Sequence, residues 1–138
     1  MIYRNATIVN GTGAAPRTAD LRTEGDRIVK IGHNLTGDEV LDCTGKVLTP
    51  GFVDIHIHGC VNMDTCDGSA EAIEKMSAHL AACGVTAFCP TTMTVSDEEI
   101  RRAVRTAGAA VGRELPGAEV LGVNMEGPFL SEKRRGAQ

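Results

Sequence analysis

The chain has no tryptophan, one tyrosine and three phenylalanines among its 138 residues. That scarcity argues against nucleic-acid binding through stacked aromatics. A basic excess is also missing: 14 Lys and Arg stand against 18 Asp and Glu, a formal net charge of −4. A general polyanion binder needs the opposite balance, although a local pocket for one phosphate is not excluded. No apolar run reaches the length of a membrane span. The start, Met1-Ile2-Tyr3-Arg4-Asn5, lacks the charged-then-apolar layout of a secretory signal. The five cysteines (Cys43, Cys60, Cys66, Cys83, Cys89) are odd in number and contain no Cys-x-x-Cys pair. A reducing cytoplasm is expected rather than a disulfide framework. What remains is a globular composition, 42% apolar and 23% charged, sufficient for a real core.

The first fifty residues read as short strands joined by turns. Ala6-Thr7-Ile8-Val9 runs into Asn10-Gly11-Thr12-Gly13, a turn rather than a phosphate loop, since no helix follows. Two runs, 20–23 and 27–31, flank Glu24-Gly25-Asp26 in hairpin style, and 39–42 and 46–48 flank Thr44-Gly45. A small antiparallel sheet is expected. Pro50-Gly51 then marks a change of style, and strands alternate with helices. A strand at 53–58 precedes a helix at about 70–83, with Ile73, Met76, Leu80 and Cys83 on one face. A second strand follows at 85–89. Ser96 and Glu99 form a capping box for the next helix, with Ile100, Ala103, Val104, Ala107 and Val111 as its buried stripe. Residues 119–126 make a third strand. The order β-α-β-α-β with mostly apolar strands predicts a parallel sheet with covering helices. A parallel (β/α)₈ barrel needs about 250 residues, so three strands suggest the amino-terminal part of a larger enzyme.

In such architectures chemistry collects at the carboxyl ends of strands. The first strand ends in His56-Ile57-His58-Gly59, the second in Cys89-Pro90-Thr91-Thr92, the third in Met125-Glu126-Gly127-Pro128. Residues two apart on a strand share a face, so both imidazoles project together and can hold one divalent cation. Alone, the pair reads equally as two ordinary outward polar residues, and Glu126 alone as a solvated carboxylate. Their shared position at the active end favours a two-histidine, one-carboxylate metal site. Asp54 lies on the same face, either as an acceptor for a histidine N–H or, preferably, as a structural residue. Thr91 and Thr92 read first as capping and turning residues. His79 belongs on a helix surface and His33 in a turn. Cys60 and Cys66 lie near the histidines, with a thiolate ligand the less favoured reading. Lys133-Arg134-Arg135 is by default a solvated loop, or more sharply a contact to an anionic substrate. No residue of the chain is a convincing general acid/base, which points beyond Gln138.

Residues 49–59, Thr-Pro-Gly-Phe-Val-Asp-Ile-His-Ile-His-Gly, resemble the first-strand signature of the amidohydrolase superfamily. Residues 122–130, with Pro90-Thr91-Thr92 and Arg135-Gly136-Ala137-Gln138, resemble the N-acetylglucosamine-6-phosphate deacetylase family within it. That resemblance implies the first three β/α units of a (β/α)₈ barrel over 51–138, preceded by part of a small β-sandwich over 1–50. It implies removal of acetate from N-acetylglucosamine 6-phosphate by a complete enzyme. Glu126 matches the family's metal-binding glutamate, and His56 and His58 match a pair that only some members keep. Ala137 and Gln138 match a place that contacts the sugar. Zinc is the expected ion, with iron, manganese or cobalt as alternatives, and one or two ions in the complete enzyme. A cytoplasmic homodimer acting on a sugar phosphate follows, without nucleic acid or membrane. The alternatives are a cyclic-amide hydrolase or deaminase of the superfamily, or a non-catalytic metal-binding half-barrel.

Overall fold

The computed structural model describes residues 1–136; Ala137 and Gln138 lie outside the described residues. The chain divides into two compact units, Met1–Pro50 and a second beginning at Gly51. In the first unit, strands β1 (Ile2–Ile8), β2 (Arg17–Glu24), β3 (Arg27–Gly32), β4 (Val40–Asp42) and β5 (Val47–Leu48) form one sheet. β1–β2 and β2–β3 are antiparallel, as the hairpin signal at Gly25 required. β4 and β5, however, run parallel to β1 along a single edge, so the sheet is mixed rather than antiparallel. Thr44-Gly45 does not fold a hairpin. It lies between two short strands on the same edge of β1, its flanks pinned by Cys43 N–H to Arg4 O (2.7 Å) and Thr7 N–H to Lys46 O (2.9 Å). A parallel return needs a long crossover, and β2, β3 and their loops supply it.

Ile2, Ala6, Ile8, Ala19, Leu21 and Cys43 are buried in this unit. Among them sits one carboxylate, Asp20, only 4% exposed. Its oxygens accept the N–H groups of Asn5 and Leu35, each at 3.0 Å. These two bonds, Asn5 first, hold the Asp20 carboxyl below its ordinary pKa, and nearby Arg4 adds to them.

The second unit contains a parallel sheet of β6 (Phe52–Ile57), a two-stranded hairpin of β7 (Gly59–Cys60) and β8 (Met63–Asp64), helix α1 (Ala70–Ala82), β9 (Val85–Pro90), α2 (Asp97–Ala109) and β10 (Glu119–Val120). The sheet order is β10-β9-β6, with both pairings parallel. Its core joins Ile73, Met76 and Leu80 of α1 to Phe88 of β9, Ala107 and Ala110 at the end of α2, and Ala118 and Val120. Ser69 caps α1 through Ala72 N–H (3.1 Å). Ser96 and Glu99 close the anticipated capping box on α2. Buried Ser77 clips the connection into β10 by donating to Ala118 O (2.8 Å) and accepting from Gly117 N–H (3.1 Å). A side chain at Gly117 would lie 2.4 Å from Ser77 O, so the approach requires glycine.

Three local expectations are corrected. Cys83 is exposed because it is the C-cap of α1, past the last residue that faces the core. Val111 is 43% exposed because α2 ends at Ala109 and Ala110 takes the buried place. The third strand keeps ladder geometry only over Glu119–Val120. Beyond it the chain still follows β9, through Leu121 N–H to Phe88 O and Asn124 N–H to Pro90 O (both 3.0 Å). Among the described residues it has a neighbour on that side alone. In β6 the apolar Val53 and Ile55 are 55% and 69% exposed, since β6 is the outermost strand of this sheet.

Candidate metal centre

β6 delivers His56 from its penultimate position, and His58 follows one residue past its end. Gly59 opens a tight return immediately afterwards. Val61 and Asn62 both have positive φ (49° and 60°), which makes the two-residue mirror-image turn suited to a hairpin. A Cβ at Gly59 would lie 2.1 Å from Met63 O, so this turn can sit against the histidine strand only with glycine there. Glu126 arrives on the irregular continuation of β10. The sequence pattern put these residues on two strand ends; the fold brings their ligand atoms within 4.8 Å of one another.

The three separations are informative. His56 Nε2 lies 2.9 Å from Glu126 Oε2, His58 Nε2 lies 3.4 Å from the same oxygen, and the two Nε2 atoms are 3.3 Å apart. Zinc binds imidazole nitrogen and carboxylate oxygen at roughly 2.0–2.2 Å. Two such ligands are about 3.3 Å apart at a tetrahedral angle and about 2.9 Å apart at a right angle. The donor set therefore fits a divalent ion by both chemistry and spacing. The rings meet edge to face, with centroids 5.1 Å apart.

Outer partners fix these side chains. His58 Nδ1 faces Thr91 O at 3.3 Å. A ring N–H donated to a backbone carbonyl leaves the Nε2 lone pair available to a cation. Thr91 and Thr92, both fully buried, do more than turn the chain. Thr91 Oγ1 accepts Ile57 N–H (3.0 Å) and donates to Cys89 O (3.1 Å), tying the end of β6 to β9. Thr92 Oγ1 accepts Glu126 N–H (3.2 Å) and donates to Glu126 O (3.3 Å), fixing the backbone of Glu126. Asp54 accepts the backbone N–H of His56 at 3.0 Å, a structural contact. Asn124, for which sequence reasoning assigned no role, places its Nδ2 3.0 Å from Ile55 O and 3.4 Å from His56 Nδ1.

The cysteines stay outside. Burial raises the Cys60 and Cys66 thiols above their ordinary pKa, which disfavours the thiolate that a metal needs. Cys66 Sγ instead accepts Met93 N–H at 3.3 Å, joining the loops after β8 and β9. His79 is exposed on α1 and His33 is exposed beyond β3. Lys133, Arg134 and Arg135 are exposed in and after a short 3₁₀ turn. No helix among the described residues is long and apolar enough to cross a membrane.

Comparison with known proteins identifies the family. The sequence profile of the amidohydrolase family matches residues 39–112, more than half of the chain. The chain belongs to the amidohydrolase family. Among curated relatives, the N-acetylglucosamine-6-phosphate deacetylase of Lysinibacillus sphaericus is 39% identical over 140 residues, covering 100% of this chain and 36% of the relative. The Bacillus subtilis (strain 168) enzyme of the same name is 46% identical over 96 residues, covering 67% of this chain and 24% of the relative. The crystal structure of N-acetylglucosamine-6-phosphate deacetylase from Pasteurella multocida superposes with a TM-score of 0.84 at 28% identity, covering 99% of this chain and 37% of that one. This amidohydrolase chain thus spans about a third, or less, of the curated relatives it matches. Its mixed α/β fold is the one those enzymes carry over the same region. Membership of the amidohydrolase family implies a divalent metal, and His56, His58 and Glu126 form a group that could hold one.

Proposed function

We propose that this chain carries part of the metal centre of a deacetylase that hydrolyses N-acetylglucosamine 6-phosphate to glucosamine 6-phosphate and acetate. The observation that carries this reading is the convergence of His56, His58 and Glu126, in a chain whose relatives bear that activity in their names. Residues 51–138 are the first three β/α units of a (β/α)₈ barrel, and residues 1–50 are part of a small β-sandwich. Zinc suits the ligand set best, with one or two ions in the complete enzyme. When bound, such an ion polarises an amide carbonyl and brings a water molecule's pKa towards neutrality. The chain's own residues hold and orient: Glu126, His56 and His58 would supply the three ligand atoms to a bound ion, Thr92 fixes Glu126, and Thr91 fixes His58. Ala137 and Gln138 would contact the sugar. No further His, Asp or Glu joins the cluster among the described residues, and none of them is assigned as the proton donor to the departing amine. The complete enzyme is a cytoplasmic homodimer acting on a free sugar phosphate, with neither nucleic acid nor membrane as partner.

The test is a titration of the purified chain, stripped of metal, with zinc, followed by N-acetylglucosamine 6-phosphate or a cyclic amide observed by NMR. One zinc should bind with perturbation of His56, His58 and Glu126. The sugar phosphate, and not the cyclic amide, should then shift resonances near the site, and the chain alone should release no acetate. Absence of zinc binding, a preference for the cyclic amide, or acetate release by the chain alone overturns the reading.

A further inference from the structure

The two histidines are chemically inequivalent, and the difference lies in their outer partners. His58 Nδ1 faces a carbonyl, that of Thr91, at 3.3 Å. A carbonyl can only accept, so Nδ1 carries the hydrogen and Nε2 presents its lone pair to the centre. His56 Nδ1 instead faces the Nδ2 of Asn124, at 3.4 Å. An amide nitrogen can only donate. The orientation of that amide is set independently, because the same Nδ2 donates to Ile55 O at 3.0 Å, and a flipped amide would set oxygen against oxygen. His56 Nδ1 must therefore accept, and the ring hydrogen lies on Nε2. There it meets two acceptors, Glu126 Oε2 at 2.9 Å and His58 Nε2 at 3.3 Å. One proton thus occupies the point on which the three ligand atoms converge.

We propose that Asn124 is a positioning residue that gates His56, holding it in the non-ligating tautomer so that His58 and Glu126 form the standing half of the centre. His56 joins a cation only when its ring hydrogen passes from Nε2 to Nδ1 and the Asn124 amide turns to offer its oxygen, releasing Ile55 O. The step is balanced: one hydrogen changes nitrogen and no charge is created, the imidazole–amide bond reverses its direction, and the bonds from Asn124 Nδ2 to Ile55 O and from His56 Nε2–H to Glu126 are given up as the cation takes the Nε2 and Glu126 lone pairs. Asn124 therefore opposes His56 as a ligand, the reverse of the supporting role that outer partners usually play. This inference rests on the proposed metal site for its consequence, but its central statement concerns the metal-free chain.

Long-range proton–nitrogen NMR of the uniformly ¹⁵N-labelled, metal-free chain tests it directly. His56 should show the Nε2–H pattern and His58 the Nδ1–H pattern, and zinc should convert His56 to Nδ1–H. In Asn124→Ala, His56 should become a mixture of tautomers while zinc binds no more weakly than to the parent. A supporting partner would lose about ten- to a hundredfold in affinity on removal. An Nδ1–H pattern for His56 in the metal-free parent overturns the proposal, as does a tautomer unchanged by Asn124→Ala. The parent spectrum decides even if that variant fails to fold. Failure of the parent chain to bind zinc would refute the metal site and leave the tautomer assignment to stand or fall on its own spectrum.

Discussion

Replacing Thr92 with valine isolates the link between the buried strand end and Glu126, the carboxylate of the candidate metal site. The two side chains have nearly the same shape, and Thr92 is 0% exposed, so no cavity and no charge are introduced. What is lost is one hydroxyl that accepts Glu126 N–H at 3.2 Å and donates to Glu126 O at 3.3 Å. A neutral hydrogen bond is worth about 0.5–1.5 kcal/mol net, which gives roughly 1–3 kcal/mol for the pair. Both bonds are at the long end of the range and Glu126 is only partly buried, so water can replace some of the interaction. We expect about 1–2 kcal/mol in total. If the hydroxyl positions Glu126, a share of this appears as metal affinity: zinc should bind roughly tenfold more weakly, the lower end for loss of an outer partner. Competition against a chromophoric chelator measures that shift, and thermal unfolding of the metal-free chain measures the remainder. A drop of several degrees in Tm with unchanged zinc affinity would refute the reasoning and leave Thr92 with a purely structural role.

Three further outcomes follow from the same structure. Glu126→Gln keeps the shape of the ligand but removes its charge, so zinc affinity in the same competition titration should fall at least about a hundredfold, more than for Thr92→Val. Asp20 makes the first unit acid-sensitive. Its carboxyl is held below the ordinary value in the folded chain, so its contribution is fully present above the unfolded pKa of about 4 and is lost as pH falls through the lower folded value. Tyr3, the only tyrosine, packs against that core, and its fluorescence should report the loss; Asp20→Asn should flatten the acid limb. Val61 holds φ at 49° with a β-branched side chain that is 46% exposed. Val61→Asn should stabilise the chain by about 1 kcal/mol, seen as a rise in Tm, because asparagine tolerates that conformation.

The elements were legible in the sequence where a local rule decides them. Ser96 and Glu99 specify a helix start three residues apart, and the structure shows both halves of the capping box. Ile73, Met76 and Leu80 mark one face of α1 by spacing alone, and all three are buried. Legibility fell where a residue's neighbour is distant in the chain. Glu39–Asp42 and Lys46–Leu48 look like a hairpin locally, yet β4 and β5 both pair with β1, more than thirty residues earlier. Val111 continues the helical period of α2, but the helix stops two residues before it, and periodicity carries no information about that end.

The same distinction runs through the centre itself. His-x-His and Glu-Gly-Pro name ligand types, and strand-end placement brings them near one another. Whether a given imidazole is ready to bind is decided by what touches its far nitrogen. For His58 that is a carbonyl 33 residues away, and for His56 an amide 68 residues away. Both partners are set by the register of β6 and the β10 continuation on β9, which no pattern within one strand encodes. A shift of one residue in either pairing would send Asn124 or Thr91 to the opposite side of the sheet. The ligands would remain in the sequence, but the asymmetry between the two histidines would be lost. Coordination readiness at this site is therefore a property of tertiary register, and substitutions that alter register should change metal binding without touching a ligand.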